Sequence, residues 1–156
     1  MTIKILALHD DLLLPEFELK AQTEGSAGMD VRAMFSTEET LEERKEDTIT
    51  LYPGECYDFP LGFATEFDPN TAVLVLARSG LGSRGLNPRN LIPLVDSDYR
   101  GELVFKTQNT GDEILVIHHG DRIGQLLHIP IVHPAVELVE ELSETDRGAG
   151  GWGSTG

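Results

Sequence analysis

Short apolar and β-branched segments alternate with turn residues along almost the whole chain. Turn-forming residues cluster at 53–54, 68–70, 100–101, 110–112 and 119–121. The predicted strands are residues 2–8, 48–51, 56–59, 63–66, 72–77, 91–95, 103–109, 114–118, 123–132 and 136–142. Many short strands at near-regular spacing are typical of a sandwich, a jelly roll or a barrel. The pattern therefore predicts an all-β fold.

Helical signals are few. Residues 71–76 and 37–45 are the candidate helices, but the second has little apolar surface, so we interpret the acidic residues 37–47 as a solvated insertion loop. Ser79 is a good N-cap, which predicts that a short helix opens at residues 78–81. The 156 residues contain no internal repeat and no linker, which indicates one domain.

Composition narrows the setting and the partners. Cys56 is the single cysteine, which excludes an internal disulfide and favours an intracellular, reducing compartment, with the cytoplasm expected. No apolar run is long enough to span a bilayer, and the first residues do not have the pattern of a signal peptide. The formal net charge of −15 argues against a nucleic-acid polymer or an anionic membrane as partner. An acidic chain that binds phosphates therefore needs local cations, a metal, or both.

Residues 147–156 form a glycine-rich tail after the β-domain of residues 1–146. Glycines allow backbone amides to turn toward an anion. Arg147 adds a planar set of donors that suits phosphate oxygens, and Trp152 adds a flat face on which a nucleobase can stack. The tail is either a mobile segment that closes over a nucleoside phosphate or a disordered terminus. Its composition alone leaves both interpretations open.

Asp96 ends an apolar stretch and comes shortly before the turn at residues 100–101. A carboxylate at a strand end can orient a water for attack, or it can cap a turn. Tyr99, three residues further on, suits either the wall of a sugar pocket or a half-buried strand position. The positions of the two side chains do not decide between these roles.

Five short motifs follow one another along the chain, and their order and spacing carry more information than any one of them. They are residues 27–33, 77–82, 90–101, 120–126 and 147–156. Together they resemble the motifs of the homotrimeric dUTP pyrophosphatase (dUTPase) family. The resemblance covers almost the whole chain and leaves out mainly the acidic insertion.

The resemblance implies a jelly-roll-like distorted β-barrel that assembles as a homotrimer. In the family each active site is shared: the base-binding hairpin comes from one subunit, the phosphate motifs from a second and the tail from the third. The implied reaction is hydrolysis of dUTP to dUMP and diphosphate with Mg²⁺, which keeps uracil out of DNA and supplies dUMP. The expected partners are dUTP and other copies of the chain, with no nucleic acid and no membrane.

The third motif implies the catalytic and base-binding residues. Asp96 corresponds to the aspartate that activates the attacking water, and Tyr99 to the tyrosine that excludes a 2′-hydroxyl. Asn90 belongs to the hairpin that recognises the pyrimidine. Pro93 departs from the family pattern, which usually has glycine there, and proline has no N–H to offer a base. Pro93 is therefore either a tolerated variant or a sign of altered base choice.

The other motifs imply the phosphate and metal contacts. The phosphate-binding residues of the core are Arg78, Ser79, Gly80 and Gln125. The tail contributes Arg147, Trp152, Gly153, Ser154 and Thr155. Asp30 corresponds to the family aspartate that holds metal-bound waters. Mg²⁺ suits phosphate oxygens and carboxylate-held waters better than Zn²⁺ does.

Three alternative functions stay open. The chain could hydrolyse another pyrimidine deoxynucleotide, such as dCTP or a 5-substituted one, and Pro93 favours this. It could resemble the dCTP deaminases, which share the fold, or use the scaffold as a regulatory binding protein with the acidic insertion as docking surface. His118 and His119 adjoin a turn, whereas His128 and His133 are isolated, so the sequence contains no zinc cluster and these histidines are interpreted as surface or packing residues.

Overall fold

The computed structural model of the chain describes residues 2–151 and is built mainly of strands. The strands are β1 (Lys4–Ala7), β2 (Met29–Arg32), β3 (Thr48–Leu51), β4 (Cys56–Pro60), β5 (Phe63–Glu66), β6 (Thr71–Ala77), β7 (Leu86–Pro88), β8 (Leu94–Val95), β9 (Val104–Asn109), β10 (Leu115–His118) and β11 (Arg122–Pro130). Two short helices, α1 (Leu41–Glu46) and α2 (Ser79–Ser83), and two 3₁₀ turns, Asp10–Leu13 and Pro15–Phe17, complete the described elements. The predicted all-β fold is confirmed.

The strands pair antiparallel in four small sheets. The largest has the order β2-β11-β6-β8, and the next has the order β4-β9-β7. β1 pairs with β5, and β10 pairs with β3. The sheets share one core, to which β9 and β10 contribute alternate buried side chains.

Strand β9 shows this alternation clearly. Phe105 and Thr107 are completely buried, whereas Lys106 between them is exposed. The same core takes in Phe59 of β4 and Phe63 of β5, also completely buried. Burial of these large apolar side chains is the main contribution that holds the sheets together.

Two of the predicted strands differ from the structure. The strand predicted at 91–95 is reduced to Leu94–Val95, because Leu91 takes the left-handed backbone conformation with φ of 64° and turns the chain. Residues 136–142 form no strand. Their apolar side chains Val136 and Leu138 are exposed almost completely. A strand pattern without a pairing partner cannot form a sheet. Strands β2 and β7 were not predicted.

The helical segments also differ from expectation. Residues 71–76 belong to strand β6 instead of a helix. The acidic segment 37–47, expected as a solvated loop, contains helix α1, which Thr40 and Glu43 start with a reciprocal capping box. Helix α2 opens where predicted, but Arg78 is its N-cap residue and Ser79 is its first helical residue. None of the helices in residues 2–151 is long and apolar enough to cross a membrane.

Candidate active site

A cavity of about 560 Å³ lies between the loop after β7 and the outer face of the β4-β9-β7 sheet. Four residues singled out in the sequence line it together: Asn90, Pro93, Asp96 and Tyr99. The opposite wall includes Asp58, Val104 and Lys106. We call this cavity the hairpin pocket. Its size suits a small ligand such as a nucleoside.

Asp96 follows β8 directly, so the pairing of β8 with β6 fixes its backbone. The Asp96 carbonyl accepts the Tyr99 N–H at 3.2 Å, and Arg100 donates to Ser97 O at 2.7 Å and to Tyr99 O at 3.1 Å. The turn is therefore closed by backbone atoms and Arg100. Among residues 2–151 the Asp96 carboxylate has no hydrogen-bond or ion-pair partner and is exposed. A carboxylate in this state can accept a proton from a water.

Tyr99 lines the pocket with an aromatic ring that its neighbours hold in place. Its hydroxyl donates to Glu102 O at 3.2 Å. The ring packs over Gly101, where a Cβ would overlap the tyrosine hydroxyl. A glycine is therefore required at this position for the ring to lie as it does.

Pro93 has no backbone N–H to donate to a ligand, and its carbonyl oxygen is already hydrogen-bonded within the fold. The side chain is buried, and its carbonyl accepts the Val75 N–H at 3.0 Å, which extends the β6–β8 ladder. The ring nitrogen has no hydrogen to donate. Leu91, two residues earlier, is 84% exposed at the tip of the loop. Base recognition at Pro93 by a backbone amide is thus excluded.

A second group of predicted residues meets on the largest sheet. Asp30 of β2 accepts Arg78 Nε at 2.9 Å and Arg122 Nη1 at 3.3 Å, and its side chain is 11% exposed. Arg78 follows β6, and Arg122 opens β11, which pairs with both β2 and β6. The sheet therefore brings the first, second and fourth motifs together. We call Asp30, Arg78, Arg122 and Gln125 the arginine cluster.

Gln125 fixes the packing between two of these motifs. Its Nε2 donates to Ala77 O at 3.0 Å. Its side chain lies against Gly28, where a Cβ would overlap Oε1. Ser79 and Gly80 are exposed at the start of α2, next to Arg78. The predicted phosphate-binding residues of the core thus share one end of β6.

Within one chain, Asp96 and Arg78 lie toward opposite ends of β6. Val73 of β6 pairs with Val95, which places Asp96 opposite Ala72. Arg78 comes six residues after Ala72, so the two groups are about 20 Å apart along the strand, at about 3.3 Å per residue. A single chain does not bring Asp96 and Arg78 to the same phosphate group.

The described part of the tail is separate from both groups. Arg147 is exposed, and its Nε donates to Gly150 O at 2.8 Å within its own turn. Trp152, Gly153, Ser154 and Thr155 lie outside the described residues. Their predicted contacts stay predictions.

A buried polar network that the sequence did not indicate ties the acidic insertion to the core. His119 Nδ1 accepts the Ser36 N–H at 3.0 Å, so its ring proton lies on Nε2, which donates to Asp11 Oδ2 at 2.9 Å. The other Asp11 oxygen accepts Arg44 of α1. Asp11 and His119 are 108 residues apart, and no local pattern links them. The expectation that His119 is a packing residue is confirmed by its burial.

The charges of this network follow from its surroundings. Burial lowers the pKa of His119, and its bond to Asp11 only partly opposes that effect. Burial raises the pKa of Asp11, but the hydrogen bonds from His119 and Arg44 outweigh it and hold the pKa below its usual value. A neutral ring therefore lies beside a charged carboxylate.

The same tautomer argues against a metal in this network. Ligand-type atoms of His9, Asp11 and His119 lie within 4.8 Å of one another. Because Nε2 of His119 carries the proton, it has no lone pair for a cation. Nε2 of His119 is therefore committed to Asp11, and this bond makes the network a structural tie.

Comparison with protein families identifies the class to which this fold and site belong. The dUTPase family model matches residues 18–156, which include the hairpin pocket, the arginine cluster and the tail. The chain belongs to the dUTPase family.

Similar proteins agree with this membership. A relative from Pseudomonas fluorescens, named deoxyuridine 5′-triphosphate nucleotidohydrolase, is 46% identical over 144 residues, which cover 90% of this chain and 89% of the relative. A relative of the same name from Shewanella pealeana is 41% identical over 154 residues, covering 97% and 95%.

Solved structures confirm the fold. The dUTPase of Staphylococcus bacteriophage 80alpha, solved with dUpNHpp, superposes with a TM-score of 0.75 at 21% identity and covers 99% of this chain and 98% of that one. The dUTPase of phage phi11 of S. aureus, in a variant whose structure reveals the coordination of a structural Mg(II) ion, gives 0.70 at 18% identity, covering 92% and 100%.

Proposed function

We propose that the chain hydrolyses dUTP to dUMP and diphosphate. The observation that carries the proposal is the hairpin pocket, where Asn90, Asp96 and Tyr99 line one cavity with a carboxylate that no described residue pairs. Membership of the dUTPase family and relatives that are named for this activity support the same substrate.

Asp96 acts as the general base. Its carboxylate accepts a proton from a water whose oxygen forms a bond to the α-phosphorus, while the bond from that phosphorus to the bridging oxygen breaks. The electron pair of the broken bond leaves with diphosphate, and the proton stays on Asp96 until solvent removes it. The exposed position after β8 suits this role, because a base must reach the water and then release the proton.

The sugar and base are selected by the walls of the same pocket. The Tyr99 ring, held by Glu102 and by Gly101, leaves no room beside the sugar for a 2′-hydroxyl. Asn90 lies at the base-binding side and has both a donor and an acceptor on its amide. These contacts favour a deoxynucleotide with a pyrimidine base.

The arginine cluster suits the phosphates and Mg²⁺. Each Asp30 oxygen receives one arginine N–H and keeps lone-pair capacity for a water, so the residue fits the water-mediated metal contact implied by the family. Mg²⁺ would neutralise charge that gathers on the leaving diphosphate. Arg78, Ser79 and Gln125 would bind the phosphate oxygens, with Gly80 allowing close approach. The tail residues Arg147, Trp152, Gly153, Ser154 and Thr155 would close over the nucleotide.

The active site is completed by other copies of the chain, as a homotrimer. The separation of about 20 Å between Asp96 and Arg78 along β6 requires a second chain to bring donors to the phosphate. Residues 136–142 also support assembly, because their strand-like apolar side chains are exposed and have no strand partner among residues 2–151. A neighbouring copy can supply that partner. Intracellular action, in the cytoplasm, would keep uracil out of DNA and supply dUMP.

One assay tests the function against its alternatives. Diphosphate release from dUTP, dCTP, dTTP and UTP is measured side by side with Mg²⁺, together with ammonia release from dCTP. We expect dUTP to be the preferred substrate, UTP to be rejected and no ammonia to form. A kcat/KM for dCTP or dTTP equal to or above that for dUTP would refute the proposal, and ammonia from dCTP would indicate a deaminase. Pro93 is the observation that keeps dCTP in the comparison.

A further inference from the structure

Lys106 is directed into the hairpin pocket by the strand that carries it. Its neighbours Phe105 and Thr107 are completely buried, so the Lys106 side chain leaves the opposite face of β9. It lines the cavity together with Asn90 and Pro93. The Arg89 backbone N–H donates to Lys106 O at 3.0 Å, which fixes the start of the base-binding loop beside this residue.

Lys106 does not pair with the carboxylate that lies opposite it in the sheet. Asp58 lies opposite Lys106 in the β4–β9 register. Its two oxygens accept Arg89 Nη2 at 2.7 and 2.8 Å instead. Among residues 2–151 the Lys106 ammonium has no hydrogen bond or ion pair. The pocket therefore contains one cationic donor that the fold itself does not require.

Pro93 creates the need for such a donor. Uracil presents an acceptor, a donor and an acceptor along its edge, whereas cytosine presents an amino group where uracil has O4. The loop offers no N–H at Pro93, and the Pro93 carbonyl is already bound to Val75. A donor to O4 must then come from another part of the pocket.

We propose that Lys106 is a specificity-determining residue that donates a hydrogen bond to O4 of the uracil base. The same ammonium repels the amino group of cytosine, because two donors face each other. This inference rests on the proposed dUTP hydrolysis and names the group that distinguishes uracil from cytosine. Thymine also has O4, so Lys106 does not distinguish dTTP from dUTP.

The test compares Lys106→Met with Lys106→Arg and with Lys20→Met as the control. Lys20 is an exposed lysine outside the pocket that pairs with Glu18. We expect Lys106→Met to lower the kcat/KM ratio of dUTP over dCTP about 10- to 100-fold, the range for a hydrogen bond to a charged group. The ratio of dUTP over dTTP should not change. Lys106→Arg should restore most of the discrimination, and Lys20→Met should have no effect on either ratio.

The outcomes separate this inference from the proposed function. An equal loss of kcat/KM for dUTP, dTTP and dCTP would place Lys106 on the phosphates and overturn the inference. An unchanged ratio of dUTP over dCTP in Lys106→Met would overturn it as well. Either result leaves dUTP hydrolysis by the unmodified protein standing, whereas absence of that activity would refute the proposed function. Thermal unfolding of each variant checks that the exposed substitution leaves the fold intact.

Discussion

The carboxylates of the hairpin pocket and of the arginine cluster differ in their exposure and in their hydrogen-bond partners. Asp96 is exposed and has no side-chain partner among residues 2–151. Asp30 is 11% exposed and is shared by Arg78 and Arg122. Both residues follow or lie in strands of the same sheet, so the difference comes from what surrounds each carboxylate and not from the backbone.

This contrast fits the proposed roles, in which Asp96 reacts as the base and Asp30 positions the arginines. A general base must be free to accept a proton, whereas both Asp30 oxygens already accept arginine donors. Asp30 instead holds two guanidinium groups, and in the proposed reaction their remaining donors would bind a phosphate. In the proposed function, the hairpin pocket therefore supplies the base and the arginine cluster stabilises the negative charge of the leaving diphosphate.

The largest expected effect is from Asp96→Asn. The amide keeps the shape but cannot take the proton, so kcat should fall about 10²- to 10⁴-fold while binding of dUpNHpp stays within a few-fold. Steady-state kinetics and calorimetry measure the two quantities. Asp98→Asn, in the same turn but outside the pocket lining, is the matched control. If Asp96→Asn kept a tenth of the activity, Asp96 would not be the base.

A smaller effect is expected from Asp30→Asn. Loss of the charge leaves Arg78 and Arg122 mutually repulsive and displaces the phosphate donors, so kcat/KM should fall about 10- to 100-fold. The matched control is Glu66→Gln, since Glu66 also faces two cations, Lys4 and Arg100, but at the surface. Equal losses in both variants would show that any change of surface charge lowers activity, and would remove the positioning role.

The smallest effect is expected from Pro93→Gly. The substitution restores one backbone N–H in the pocket, so kcat/KM for dUTP should rise by about 2- to 10-fold, the equivalent of one neutral hydrogen bond. The effect is confined to the base, so the arginine cluster should bind diphosphate as before. Competitive inhibition by diphosphate measures that binding. A fall in dUTP activity, with unchanged thermal stability, would mean that the ring of Pro93 itself contributes to the pocket.

Local sequence patterns predicted several strands correctly, although the strand of the hairpin pocket was predicted too long and β2, which carries Asp30, was missed. Strands such as Thr48–Leu51 and Phe63–Glu66 were predicted because their alternation and flanking turns are local properties. The motifs with Asp96 and Arg78 were found for the same reason. Residues 136–142 show the limit of this reasoning, because a strand pattern does not reveal whether a partner strand exists in the same chain.

Other features depend on distant residues and could not be predicted. The tie between Asp11, His119 and Arg44 joins parts of the chain with no shared pattern, and it converts an acidic segment into an anchored helix. The left-handed backbone at Leu91 contradicts the preference of a branched side chain, so the predicted strand was too long. Lys106 was missed because its proposed role depends on its position in the same pocket as Pro93, which the sequence does not reveal.

The central claim is that each active site takes Asp96 from one chain and Arg78 from another. Chains with Asp96→Asn and chains with Arg78→Gln, each nearly inactive alone, are co-expressed with different tags, and the mixed assemblies are purified and assayed for dUTP hydrolysis. In a mixed cyclic trimer one of the three sites combines an intact Asp96 with an intact Arg78, so about a third of the original activity should return. Activity that stays at the level of the separate variants would contradict the shared site.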